Sequence, residues 1–103
     1  PKEDVALYVD QLADLYPKIF LHLIRNYDQY DGTSWLHTIQ VPTLVFSGER
    51  DRVVPLSQQE LLAQLIPGSE YFMVKHGSHC PQMDLPDLVN AKIEDFLKRN
   101  QLV

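Results

Sequence analysis

Val41-Pro-Thr-Leu-Val-Phe-Ser-Gly-Glu-Arg-Asp-Arg-Val-Val-Pro55 is the stretch from which the rest of the chain can be read. A short apolar run, Thr43 to Phe46, ends in Ser47-Gly48, and four charged residues follow before Val53-Val54-Pro55. The apolar residues are contiguous rather than alternating. This predicts a strand over 41–47 covered on both faces, as in a parallel sheet with helices above and below. Pro42 is tolerated at the start of such a strand. A buried strand that empties into a charged loop at its C-terminal end is how open α/β sheets build sites. Asp51 in that loop is the first candidate for chemistry.

Downstream, Ser57-Gln58-Gln59-Glu60 matches a capping box, with Leu56 and Leu61 placed for a hydrophobic staple. The spacing predicts a helix to about residue 66, stopped by Pro67-Gly68. Residues 70–75, Glu-Tyr-Phe-Met-Val-Lys, are rich in aromatic and β-branched types and predict a second strand. Gly77-Ser78-His79-Cys80-Pro81 reads as a loop. Pro86 fits the first turn of a last helix with an apolar stripe of Leu88, Val89, Ile93, Phe96 and Leu97. A strand, a crossover helix and a second strand imply a parallel pair, so the fold class is α/β.

Upstream, apolar residues from Val5 to Tyr27 recur in steps of three and four, among them Tyr8, Leu12, Leu15, Phe20 and Ile24. That is an amphipathic helical pattern. Pro17 interrupts it. Proline costs a helix interior about 3 kcal/mol but suits a first turn, so two helices are predicted, with Asp14 placed to help cap the second. Residues 26–33 read as a loop, and Trp35-Leu36 anchors the approach to the strand.

Composition bounds what these elements can serve. The chain has 103 residues, is 45% hydrophobic and 22% charged, and carries a formal net charge of -5. That is enough for one small core with a solvated acidic surface, and it argues against nucleic acid and anionic membranes as partners. No apolar run approaches a membrane span. The single cysteine, Cys80, excludes an intrachain disulfide and points to a reducing, cytoplasmic compartment. His76, His79 and Cys80 lie close together, but no further His or Cys cluster joins them, so no metal and no cofactor is expected. A chain opening on Pro1-Lys2-Glu3-Asp4 and entering at once a helical pattern reads as a piece of something longer.

Asp51 and His79 each sit just past the C-terminal end of a predicted parallel strand. Adjacent parallel strands bring those ends to one edge of the sheet, so the two side chains can meet. An aspartate bonded to one imidazole nitrogen fixes the tautomer and stabilises the imidazolium formed when the other nitrogen takes a proton. The same spacing also allows Asp51 to pair with Arg50 or Arg52 and leaves His79 an ordinary loop histidine.

Residues 36–99 resemble the C-terminal part of the α/β-hydrolase superfamily. The matching pieces are Pro42-Thr43-Leu44, Gly48-Glu-Arg-Asp51, Val54-Pro55, Pro67-Gly68 and Gly77-Ser-His79, in that order and spacing. The resemblance implies that Asp51 and His79 are the catalytic acid and base, and that the complete protein takes a small, apolar, ester-like substrate. Residues 1–35 would be the end of a helical cap and 36–103 the C-terminal portion of the hydrolase core. Tyr8, Tyr16, Phe20 and Trp35 would line an apolar pocket beneath that cap.

One departure matters. The family's nucleophile lies in Gly-x-Ser-x-Gly, and none of Ser34, Ser47, Ser57, Ser69 and Ser78 is flanked that way. Ser78 and Cys80 flank His79, but neighbours on an extended loop point apart. The expectation is therefore a chain inactive alone, which joins an N-terminal hydrolase segment or self-associates. The alternative is a non-enzymatic truncated hydrolase scaffold acting in protein interaction.

Overall fold

The computed structural model describes residues 2–14 and 16–103, with the side chains of Lys2, Tyr8 and Ala13 left out of the description. The expected stripe positions Leu15 and, for its side chain, Tyr8 thus lie outside the described residues, as does Pro1. The chain divides into two compact units, residues 1–32 and 33–103.

The first unit holds two helices, α1 (Lys2–Ala13) and α2 (Pro17–Gln29). Pro17 occupies the first turn of α2, where its missing N–H costs nothing. The residue before it, Tyr16, is the N-cap and makes no side-chain capping bond. Asp14 does not cap α2 as expected; its N–H donates to the Asp10 carbonyl, closing the end of α1 instead. No residue of α2 is buried, and apolar residues of both helices, including Val9, Ile19 and Leu23, stay open to solvent.

The second unit begins with a 3-10 turn, Leu36–Thr38, in which the Thr38 hydroxyl donates to the Trp35 carbonyl at 2.6 Å. Next come β1 (Leu44–Gly48), α3 (Leu56–Leu65), β2 (Glu70–Val74), a single helical turn α4 (Pro81–Asp84) and α5 (Pro86–Arg99). The two strands pair in parallel, with Leu44 opposite Glu70 and Gly48 opposite Val74. α3 makes the crossover that a parallel pair requires, and it packs on both strands.

Several boundaries differ from expectation for local reasons. β1 starts at Leu44 rather than Val41 because Pro42 has no N–H and the Thr43 hydroxyl turns back to the Val41 carbonyl at 2.9 Å. α3 begins at Leu56 with Pro55 as N-cap and no side-chain capping bond, so Ser57 lies inside the helix and the capping box is not formed. The first helical N–H groups turn instead to a backbone oxygen, Gln58 and Gln59 both donating to the Pro55 carbonyl. At the other end Ile66 caps the helix, and Gly68 takes a left-handed φ of 69° in the turn before β2. α4 was not legible in the loop sequence, although Pro81 at its first position is the usual opening residue.

The core is small: Val45, Ile66, Val74, Val89 and Phe96 are buried, and Val74 is fully enclosed. Phe46 and Phe72, opposite each other in the ladder, meet edge to face at 6.0 Å, and the Lys92 ammonium of α5 lies 4.6 Å from the Phe72 ring centre. Coverage of both sheet faces is incomplete, contrary to the contiguous apolar run. Tyr71 and Met73 of β2 stay more than a third exposed, and of the α5 stripe Val89 and Phe96 are buried while Leu88 and Ile93 are not. With two strands among the described residues, each strand keeps one edge without a ladder partner.

Candidate active site

Both candidate residues lie in loops leaving the C-terminal ends of the paired strands. Beyond Gly48 and Val74 the strands part, but the loops remain laced together. The Glu49 N–H donates to the Val74 carbonyl at 3.1 Å and the Arg50 N–H to the Gly77 carbonyl at 2.8 Å. Gly48 makes this approach possible. A Cβ built there would run into the Ser78 carbonyl oxygen and lie 2.7 Å from the Gly77 carbonyl oxygen.

The acid loop is wound around its own aspartate. Asp51 Oδ1 accepts the N–H groups of Val53 (2.8 Å) and Val54 (2.9 Å), an Asx-type turn that anchors this one carboxylate oxygen. Oδ2 accepts the Gln59 Nε2 amide at 3.0 Å and faces His79 Nδ1, also at 3.0 Å. The Asp51 side chain retains only 4% of its accessible surface, whereas that of His79 keeps 47%. Burial pushes the Asp51 carboxyl up. The Val54 N–H, the His79 ring and the Val53 N–H together outweigh it and hold the group below its usual value of 3.8. Asp51 is therefore an ionised, fully hydrogen-bonded acceptor at neutral pH, and among the described residues its basic side-chain partner is His79 rather than Arg50 or Arg52.

The histidine loop is held from both sides. On one side the His76 N–H donates to Glu49 Oε2 at 2.8 Å. His76 has a left-handed φ of 65°, a conformation that costs a non-glycine residue about 1–2 kcal/mol, so this bond offsets a local strain. The donated N–H also holds the Glu49 carboxyl below its ordinary range. On the other side Asp84, closing α4, accepts both the Ser78 hydroxyl (2.6 Å) and the Ser78 N–H (2.7 Å), and these two bonds depress its carboxyl. The Ser78 oxygen in turn accepts the Cys80 N–H at 3.2 Å. Ser78 is thus engaged with Asp84, and His76 with Glu49. Among the described residues no group of three or more His, Cys, Asp and Glu side chains could hold a metal ion.

Sequence reasoning named Asp51 and His79, and the fold brings those two together. It missed Gln59, Glu49 and Asp84, whose contacts depend on how α3 and α4 pack and carry no local signature. Of the expected pocket residues, Tyr16 and Phe20 lie in the first unit and Trp35 in the second, all exposed.

With respect to chemistry, a buried carboxylate aligned on Nδ1 of a half-exposed imidazole fixes the Nδ1–H tautomer and leaves Nε2 to exchange protons with a substrate or nucleophile. Comparison with known proteins places the chain in a family. The family model described as "alpha/beta hydrolase fold" matches residues 13–86. The chain is 33% identical over 70 residues to the proline iminopeptidase PfmaB of Pestalotiopsis fici, covering 68% of this chain and 25% of that protein. It is 29% identical over 82 residues to the monoacylglycerol lipase ABHD6 of Mus musculus, covering 80% of this chain and 24% of that one. Among solved structures, a thermophilic esterase from Thermogutta terrifontis superposes with a TM-score of 0.64 at 32% identity, over 67% of this chain and 25% of the esterase. The chain spans about a quarter of the length of these relatives. On the extent of the family match, the chain belongs to the α/β-hydrolase superfamily.

Proposed function

We propose that this chain supplies the acid and base of a serine-type α/β hydrolase acting on an ester or related small, apolar substrate. The observation that carries the reading is the 3.0 Å contact from Asp51 Oδ2 to His79 Nδ1, made by a carboxylate that is buried, ionised and saturated with donors. Relatives that hydrolyse acylglycerols, peptides and esters by their names support the reaction class. In the proposed mechanism His79 Nε2 takes the proton of a serine hydroxyl as it attacks the substrate carbonyl, then returns it to the leaving group. Asp51 stays ionised and stabilises the intervening imidazolium.

The serine itself is not among residues 1–103 in a Gly-x-Ser-x-Gly setting. The proposal therefore places the nucleophile, and the donors that stabilise the oxyanion, on an N-terminal hydrolase segment that joins this chain. Residues 1–35 form the end of the cap in this reading and 36–103 the C-terminal portion of the core. The missing nucleophile motif also favours a second reading, a hydrolase scaffold retained for self-association or protein interaction. The test joins the chain to a segment bearing Gly-x-Ser-x-Gly and assays a chromogenic ester. His79→Ala is expected to lower kcat about 10⁶-fold. Full activity in that variant sinks the role given to His79, and no activity in any such assembly favours the scaffold.

A further inference from the structure

Asp51 Oδ2 is where the proposed chemistry is aimed, and it accepts two donors, not one. Besides His79 Nδ1, it takes the side-chain amide of Gln59 at 3.0 Å, and the same nitrogen donates to the Val54 carbonyl at 2.8 Å. Both neighbours of that amide end are acceptors, so Nε2 rather than Oε1 must face them; the reverse would set three oxygens against one another. Gln59 stands on α3, an element that otherwise contributes nothing to the pair, and it is half-buried.

We infer that Gln59 is a positioning residue: it locks the Asp51 carboxylate in the one rotation that presents Oδ2 to His79 Nδ1. Three donors other than His79 hold the carboxylate. Val53 and Val54 hold Oδ1, but a plane pinned through one oxygen can still pivot about it. Gln59 pins the second oxygen from the far side and is itself anchored through Val54, so the acid loop and α3 move as one body. The inference rests on the reading of Asp51 and His79 as acid and base. It adds the element that sets their alignment, and it makes the length and orientation of α3's first turns part of the site.

The test measures the tautomer of His79 by 15N and 1H NMR on the 103-residue chain, unsubstituted and with Gln59→Leu or Gln59→Glu. Leucine keeps most of the side-chain volume without a donor. Glutamate keeps the shape but turns an acceptor toward Asp51 Oδ2 and the Val54 carbonyl. The unsubstituted chain is expected to show a downfield Nδ1–H resonance. Both variants are expected to lose most of it, with the ratio of Nδ1–H to Nε2–H falling about tenfold while the backbone amide spectrum keeps its dispersion. An unchanged tautomer in both variants overturns the role of Gln59. So does collapse of the amide dispersion in Gln59→Leu, which makes the residue structural. Absence of the Nδ1–H signal from the unsubstituted chain instead refutes the Asp51–His79 pairing beneath the proposed function, so the two failures are distinguishable.

Discussion

Gly48→Ala tests whether the close approach of the two loops, rather than any side chain, holds the site together. The Gly48 backbone lies outside the left-handed region, so alanine meets no torsional obstacle there. Considered locally, the substitution should stabilise, because alanine loses less chain entropy on folding, by about 0.5–1 kcal/mol. Against this stands the added methyl, driven into the Ser78 carbonyl oxygen and set 2.7 Å from the Gly77 carbonyl oxygen and 2.8 Å from the Ser78 carbonyl carbon. These are backbone atoms laced to the acid loop by the Arg50-to-Gly77 bond, so no rotamer change can relieve the overlap. Overpacking costs about 1–3 kcal/mol, and an unyielding neighbour places this case at the upper end. The net expectation is a loss of about 2–2.5 kcal/mol, equivalent to a fall in Tm of about 8–20 °C for a unit of this size. Urea denaturation followed by circular dichroism measures it, with a lower midpoint at unchanged slope as the expected result. Gly68→Ala is the control: its φ of 69° penalises alanine by strain, yet nothing lies within 4 Å of the added Cβ. An unaltered or raised midpoint in Gly48→Ala, with the His79 Nδ1–H signal retained, refutes the steric argument.

Two further outcomes follow from charged groups. The Asp51 carboxyl is depressed in the folded chain, so its contribution is fully present above the ordinary value of 3.8 and is lost as pH falls through the lower folded value. Thermal melts of the parent and Asp51→Asn from about pH 7 to about pH 2 should therefore differ at neutral pH and converge in acid; a gap that persists unchanged to the lowest pH contradicts the assignment. At the opposite end of the sheet, Arg99 makes a bidentate pair with Glu70 at 2.7 Å for each bond and also donates to Asp95. Since both partners of the bidentate pair are well exposed, a double-mutant cycle with Arg99→Ala and Glu70→Ala should give only a weak favourable coupling. That coupling should shrink in about 1 M salt, and one that resists salt rejects the surface-pair reading.

What the sequence made legible were the features set by neighbours along the chain. Pro17 announced a helix start because its ring fixes φ wherever it stands. Asp51 and His79 could be paired because a βαβ order alone brings two strand ends to one edge. What escaped were features set across elements. Ser57-x-x-Glu60 has the letters of a capping box, but Pro55 and the carboxylate of Asp51 had already arranged the loop so that the helix began two residues too early for it. Gln59 gave no signal, since an exposed-looking glutamine becomes a site residue only when α3 lies against the acid loop. The run Thr43–Phe46 suggested full burial, yet the core that covers it is narrower than the run itself.

The register of the two strands acts as a gauge block for the chemistry. Gly48 opposite Val74 sets where each loop departs. A slip of one residue would displace one loop by about 3.3 Å along the strand, as much as the whole Asp51-to-His79 separation. It would also reverse which face each strand side chain occupies. Insertions and deletions are therefore admissible in the later turns of α3 or in the Pro67-Gly68 turn, which leave the register alone. A single-residue change of length within β1 or β2 is not, even where every side chain named above is kept. In this lineage, length variation should accumulate in the crossover and spare the strands.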